Sequence, residues 1–128
     1  MPLLNSFFSL FSPSDSGVRR VEPAEAAQLV RDQKAMLVDV REPAEWADGV
    51  AQKAALLPLS DLVGSRSQWR PFLGQVGDRE IILYCHSGRR SGRAAAMLAA
   101  EGFKAANGGS FRAWHRAGLP IRRPKRLG

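Results

Sequence analysis

The chain has 128 residues and a hydrophobic fraction of 45%, which suits one domain with a real core. Its single cysteine excludes an internal disulfide and a cysteine-rich zinc site, and an unpaired thiol suits a reducing compartment, read here as the cytoplasm. The formal charge of +7 is unevenly placed: from Ile81 onward ten Lys and Arg face Glu101 alone, a balance of +9 that leaves −2 for residues 1–80.

Residues 1–17 read as an N-terminal amphipathic segment and linker. Leu3, Leu4, Phe7, Phe8 and Phe11 follow helical spacing, Pro13 stops the pattern, and residues 14–17 are linker-like. No Lys or Arg precedes the apolar residues and no small-residue cleavage site follows them, so the segment is read as retained rather than as a signal peptide. No apolar run approaches the ~20 residues that span a bilayer, and the polar face lacks the Lys and Arg of a membrane-surface helix. The stripe at residues 3–11 is expected to pack on its own domain or to make a homodimer contact.

Residues 18–121 carry alternating strand and helix signals. A weak strand covers 18–21. Pro23 and Glu25 then open a helix that runs to about Arg31. A buried strand follows at 35–40, a short helix with Trp46 at 43–48, and a strand at 54–58 ended by Pro58. Short helical segments start at Ser60 and near Gln68. Gly77-Asp78 is a turn, and the strand from Glu80 to Tyr84 delivers Cys85. The alanine-rich stretch 91–101 is the strongest helix, ended by Gly102. A short strand at 103–105, a turn at Asn107-Gly108-Gly109 and a helix from Ser110 to Arg116 complete the domain. This order predicts a three-layer α/β/α fold around a mostly parallel sheet of about five strands. Trp46, Trp69 and Trp114 read as core or rim packing. Residues 122–128 form a basic C-terminal tail. The basic half points to a small anionic substrate, to nucleic acid, or to a merely solvated face. No aromatic residues are interleaved with the tail, so no specific nucleic-acid partner is expected.

Ligands of such sheets bind at the C-terminal strand ends. Asp39, Arg41 and Cys85 fall at or just beyond such ends, on one rim. After Cys85 comes the loop His86-Ser87-Gly88-Arg89-Arg90-Ser91, and then a helix. A thiol facing a helix N-terminus and arginines is favoured as thiolate, its reactive form. The amides of residues 86–91 are expected to point inward as an anion cradle, with Gly88 supplying the backbone angle. One of Arg89 and Arg90 is expected to face the substrate, with Arg90 in the inward, structural place. His86 either tunes the thiolate, touches substrate or is a bystander. Asp39 is expected to pair with an arginine. Arg41 either reaches the anion or completes a structural salt bridge. No metal and no cofactor are expected.

These residues resemble the rhodanese-like domain family of single-domain sulfurtransferases, over roughly Val18 to Ile121. The likeness rests on Leu37-Val38-Asp39-Val40-Arg41-Glu42, Glu45-Trp46-Ala47-Asp48-Gly49 and Leu56-Leu57-Pro58-Leu59. It rests further on Cys85 to Ser91, on Gly108-Gly109-Ser110-Phe111-Arg112-Ala113-Trp114, and on Gly118-Leu119-Pro120. The resemblance implies the rhodanese-like fold and persulfide chemistry at Cys85. In that chemistry a sulfane sulfur passes from thiosulfate, or another persulfide or polysulfide donor, to a thiol or cyanide acceptor. The implied partners are a small anionic sulfur donor and a thiol or protein persulfide acceptor. One stretch departs from the family: its Gly-His-Ile-x-Gly-Ala reads here Gly49-Val50-Ala51-Gln52-Lys53-Ala54. Two other readings stay open, a non-catalytic protein-binding module and a phosphatase or arsenate reductase. The last has its arginine six positions after the cysteine, where this chain has Ser91, with Arg90 one residue early.

Overall fold

A computed structural model describes residues 18–125. The apolar stripe at residues 3–11 and the last part of the basic tail lie outside the described residues. In chain order the elements are β1 (Arg19–Arg20), α1 (Pro23–Arg31), β2 (Ala35–Asp39), a 3-10 helix (Pro43–Asp48), β3 (Val50–Ala51), β4 (Ala55–Leu56), α2 (Leu59–Leu62), α3 (Trp69–Gln75), β5 (Glu80–Cys85), α4 (Arg89–Ala100), β6 (Ala105–Ser110), α5 (Phe111–Arg116) and β7 (Ile121–Arg122). Five strands make one parallel sheet in the order β1-β6-β5-β2-β4. This is the expected α/β/α arrangement.

Side chains of a strand alternate between faces, and the central strand β5 shows how that divides the core. Ile81, Leu83 and Cys85 pack with Leu62, Trp69 and Leu98, from the helices α2, α3 and α4. Ile82 and Tyr84 pack with Ala26, Ala27 and Trp114, from α1 and α5. Both faces are covered, which is why β5 is apolar almost throughout. Because Cys85 lies on the α4 face, its sulfur is brought under the start of that helix. Among the described residues no helix is long and apolar enough to cross a membrane.

Three local features differ from expectation. Helix α4 begins at Arg89, two residues early, because Gly88 takes a left-handed φ of +94° and caps it. The strand expected at 103–105 runs instead from Ala105 to Ser110, through the residues expected to turn. The cause is a bulge: Leu83 pairs with Asn107 but Tyr84 with Gly109, leaving Gly108 as an extra residue. A Cβ on Gly108 would sit 2.9 Å from Ile82 Cγ2 and 3.3 Å from the Leu83 carbonyl oxygen. The glycines therefore permit close strand approach rather than a chain reversal. Gly108→Ala is expected to cost about 1–3 kcal/mol by overpacking, read as a lower urea midpoint. An unchanged midpoint would show that β6 can shift to make room.

The third difference is a two-stranded ribbon for which the sequence carried no signal. Val50 and Ala51 pair antiparallel with Arg122 and Ile121. Arg122 also donates through Nε to Gln52 O at 3.0 Å and through Nη2 to Ala54 O at 2.8 Å. Arg122, the first residue of the expected tail, is therefore tied to residues 50–54. The ribbon accommodates the departure at residues 49–54. Val50, in place of the histidine, is fully buried, and Lys53 takes no positive φ, so that position does not require glycine.

Candidate active site

Strands β2 and β5 run parallel, with Asp39 opposite Tyr84, so Asp39, Arg41 and Cys85 reach the same sheet edge. Cys85 is 0% exposed. The left-handed turn at Gly88 reverses the chain over the sulfur. The Gly88 amide donates to Sγ at 3.1 Å and the Ser91 amide at 3.4 Å, with Ser91 Oγ also 3.4 Å away. The Gly88 carbonyl faces the other way and accepts from Gly92 N at 3.0 Å, starting α4. His86, Ser87 and Arg89 are the exposed residues of the loop.

This surround acts directly on the thiol. Burial pushes its pKa up. The amides of Ser91, Gly88 and Ser87, grouped around Sγ, pull it down, and the net shift is below the ordinary cysteine value. The loop donors thus offset the cost of burying the thiol.

Arg90 is half-buried beside Glu45, whereas Arg89 is exposed. The Arg90 guanidinium donates to both oxygens of Glu45, at 2.7 and 2.8 Å. Glu45 also accepts from Glu42 N at 2.9 Å, closing the capping box of the 3-10 helix. Arg90 is the main cause that lowers the Glu45 carboxyl to about 2, against the opposing effect of burial. A carboxyl lowered in the folded state contributes stability above its ordinary value of 4.5, lost as pH falls towards about 2. The clamp therefore persists across the whole neutral and mildly acidic range.

Asp39 and Arg41 form the structural pair rather than an anion-reaching one. Arg41 donates through Nε to both Asp39 oxygens, at 3.1 and 3.0 Å, and through Nη2 at 2.8 Å. Two further donors go to the carbonyls of Glu45, at 3.2 Å, and Gly49, at 2.7 Å. Its Cζ lies 4.7 Å from the centre of the Phe111 ring. At 3% exposure, this guanidinium is turned into the protein and braces the rim from below.

Three residues of the site went unread in the sequence. Glu45 fixes Arg90. Tyr84 accepts from Ala51 N through its Oη at 2.8 Å and stacks on Phe111. Its phenol is pushed up by burial and by Asp39. Asn107, 3% exposed on β6, ties the cysteine loop to the sheet. These links cross 45, 33 and 16–19 residues, and no local pattern carries them; only the capping-box spacing of Glu42 and Glu45 left a sequence trace.

Beside the loop lies a cleft of about 150 Å³ whose walls include Arg20, Glu22, Ser87, Gly109 and Ser110. A larger, shallow hollow of about 560 Å³, lined by Lys34, Arg79, Glu80 and Lys104 among others, sits at the opposite ends of the strands, away from Cys85.

A cysteine wrapped by loop amides thus sits at the C-terminal edge of a parallel sheet, the edge where ligands of α/β sheets bind. The rhodanese-like domain model matches residues 22–117, and the chain belongs to that family and has its fold. It is 35% identical over 111 residues to a sulfurtransferase of Allochromatium vinosum, covering 84% of this chain and 98% of that one. It is 36% identical over 100 residues to the thiosulfate sulfurtransferase GlpE of Vibrio cholerae, covering 75% of this chain and 88% of that one. Among solved structures it resembles a Rhodopseudomonas palustris protein of unknown function, called a possible tyrosine phosphatase. That match has a TM-score of 0.71 and 28% identity and covers 86% of this chain and 89% of that one.

Proposed function

We propose that the protein is a rhodanese-type sulfurtransferase that carries sulfane sulfur as a persulfide on Cys85. The observation that carries the reading is the ring of donors on Cys85 Sγ, with Gly88 N at 3.1 Å and Ser91 N at 3.4 Å. The sulfurtransferases among its relatives support it. In the first step the Cys85 thiolate attacks the outer sulfur of thiosulfate. The new S–S bond forms as the old one breaks, and sulfite leaves with the bonding electron pair. The terminal sulfur of the persulfide is again an anion, so the same amides hold it. In the second step cyanide or an acceptor thiolate attacks that sulfur and Cys85 leaves as thiolate, ready for another cycle. The exposed Arg89 meets the anionic donor, while Arg90, held by Glu45, keeps a fixed positive charge behind the loop. A free thiol of this kind fits a reducing compartment such as the cytoplasm.

The phosphatase reading has in its favour the Rhodopseudomonas palustris neighbour. Against it, the sixth residue after Cys85 is Ser91, whose amide lies on the sulfur, and Arg90 is engaged by a carboxylate rather than open to a phosphate ester. With thiosulfate and cyanide the protein is expected to release sulfite and thiocyanate in equal amounts, and to leave an aryl phosphate intact. Absence of transfer from every sulfane-sulfur donor, with aryl phosphate hydrolysis dependent on Cys85, would reverse the assignment.

A further inference from the structure

The Ser91 hydroxyl has one proton and three acceptors around it. Cys85 Sγ is 3.4 Å away, Asn107 Oδ1 2.8 Å and Gly109 O 3.5 Å. The orientation of the Asn107 amide decides which of them receives the proton. Gly109 N donates to Oδ1 at 3.0 Å, and Nδ2 donates to Gly88 O at 2.9 Å. A backbone N–H has a fixed direction, so a flipped amide would set two donors against each other at Gly109 and two acceptors at Gly88. Oδ1 therefore faces Ser91, and as an amide oxygen it only accepts. At 2.8 Å its partner must be the Ser91 proton. The Ser91 oxygen is then left with lone pairs towards the sulfur, where it receives an S–H but gives nothing to a thiolate.

We propose that Asn107 is a positioning residue that keeps the Ser91 proton off Cys85, so that the sulfur anion is held by backbone amides and the hydroxyl is a reserve donor. The inference deepens the persulfide reading and rests on Cys85 being the reacting thiol. Its chemical sense is balance. A thiolate with every neighbour donating is stable but a poorer nucleophile. Withholding one donor keeps the sulfur ionised by the amides yet reactive. The charged and titratable groups around the thiol are His86 in the loop, Arg89 and Arg90 on α4, the latter with its partner Glu45, and Tyr84 with the Asp39–Arg41 pair at the sheet edge. Strand β6, which carries Asn107, has no ionisable side chain.

The test is a double-mutant cycle, Ser91→Ala, Asn107→Ala and both together, read as the thiol ionisation curve from thiolate absorbance and from the pH dependence of alkylation. Neither readout needs sulfur transfer, so the outcome is independent of whether the protein proves to be a sulfurtransferase. Ser91→Ala is expected not to raise the midpoint, since no donor to sulfur is lost. Asn107→Ala frees the hydroxyl proton to turn to the thiolate and is expected to raise the ionisation constant about tenfold, the scale of one charge-assisted hydrogen bond. With Ser91 already replaced, Asn107→Ala is expected to have no such effect. That dependence separates proton placement from simple loosening of the loop, which would move the midpoint in both backgrounds. A midpoint raised by Ser91→Ala alone, or an Asn107→Ala shift that is the same with and without Ser91, overturns the proposal.

Discussion

Asp39→Ala is expected to destabilise the protein by about 3–5 kcal/mol, the cost of leaving a buried charge without its partner. The carboxylate is 0% exposed and the guanidinium it holds 4%. With Asp39 gone, Arg41 keeps only the Glu45 and Gly49 carbonyls and the Phe111 ring, none of which is a counter-charge. Water cannot substitute without opening the rim between β2 and the 3-10 helix. The urea midpoint should fall at nearly constant slope. Adding Arg41→Met is expected to restore part of the loss, because an apolar pair of similar volume tolerates burial better than one lone ion. Restoration should be incomplete, since those two carbonyls then lack their donor. A loss below about 1 kcal/mol for Asp39→Ala would mean that Arg41 swings out to solvent, and the rim would then be a mobile arginine rather than a brace.

Replacing Cys85 by serine is expected to remove sulfur transfer to background, a fall of at least ~10⁴-fold, on the scale seen when an enzyme loses its covalent nucleophile. A serine hydroxyl stays protonated at neutral pH and forms no persulfide, so neither half of the cycle runs. In the wild type, loading by thiosulfate should rise with pH as thiolate forms. It should reach its plateau below the ordinary cysteine range, because the net effect of burial and the loop donors is a lowered thiol. A rate still climbing above that range would show that burial, not the loop, dominates at the sulfur.

What the sequence disclosed and what it withheld divide along one physical line. Features written in neighbouring residues were legible. Pro23 and Glu25 marked the start of α1, and the apolar run from Ile81 marked β5. The order strand, cysteine, glycine-arginine loop and alanine-rich helix marked the site. Ser110 caps α5 as read, accepting from Ala113 N at 3.0 Å. Features that exist only through a distant partner were not. Asn107-Gly108-Gly109 has turn composition, and only pairing against β5 turns it into a bulged strand. Two-residue strands such as β3 and β7 have no period to detect and form because Arg122 reaches Gln52 and Ala54. The loop arginine was visible, but its carboxylate was not, since Glu45 lies in an element whose local signal is merely that of a short helix. The same holds for Arg41, whose exposed-rim and buried-pair readings differ only in the placement of Asp39 beside it.

The central claim, that Cys85 is a sulfur carrier, is tested most directly by the intact mass of the protein after incubation with thiosulfate and removal of excess donor. The wild type is expected to gain one sulfur atom, lost again on adding cyanide, while Cys85→Ser gains none. No added sulfur on the wild type from thiosulfate, a polysulfide or a persulfide donor, or an equal gain on the serine variant, would contradict it.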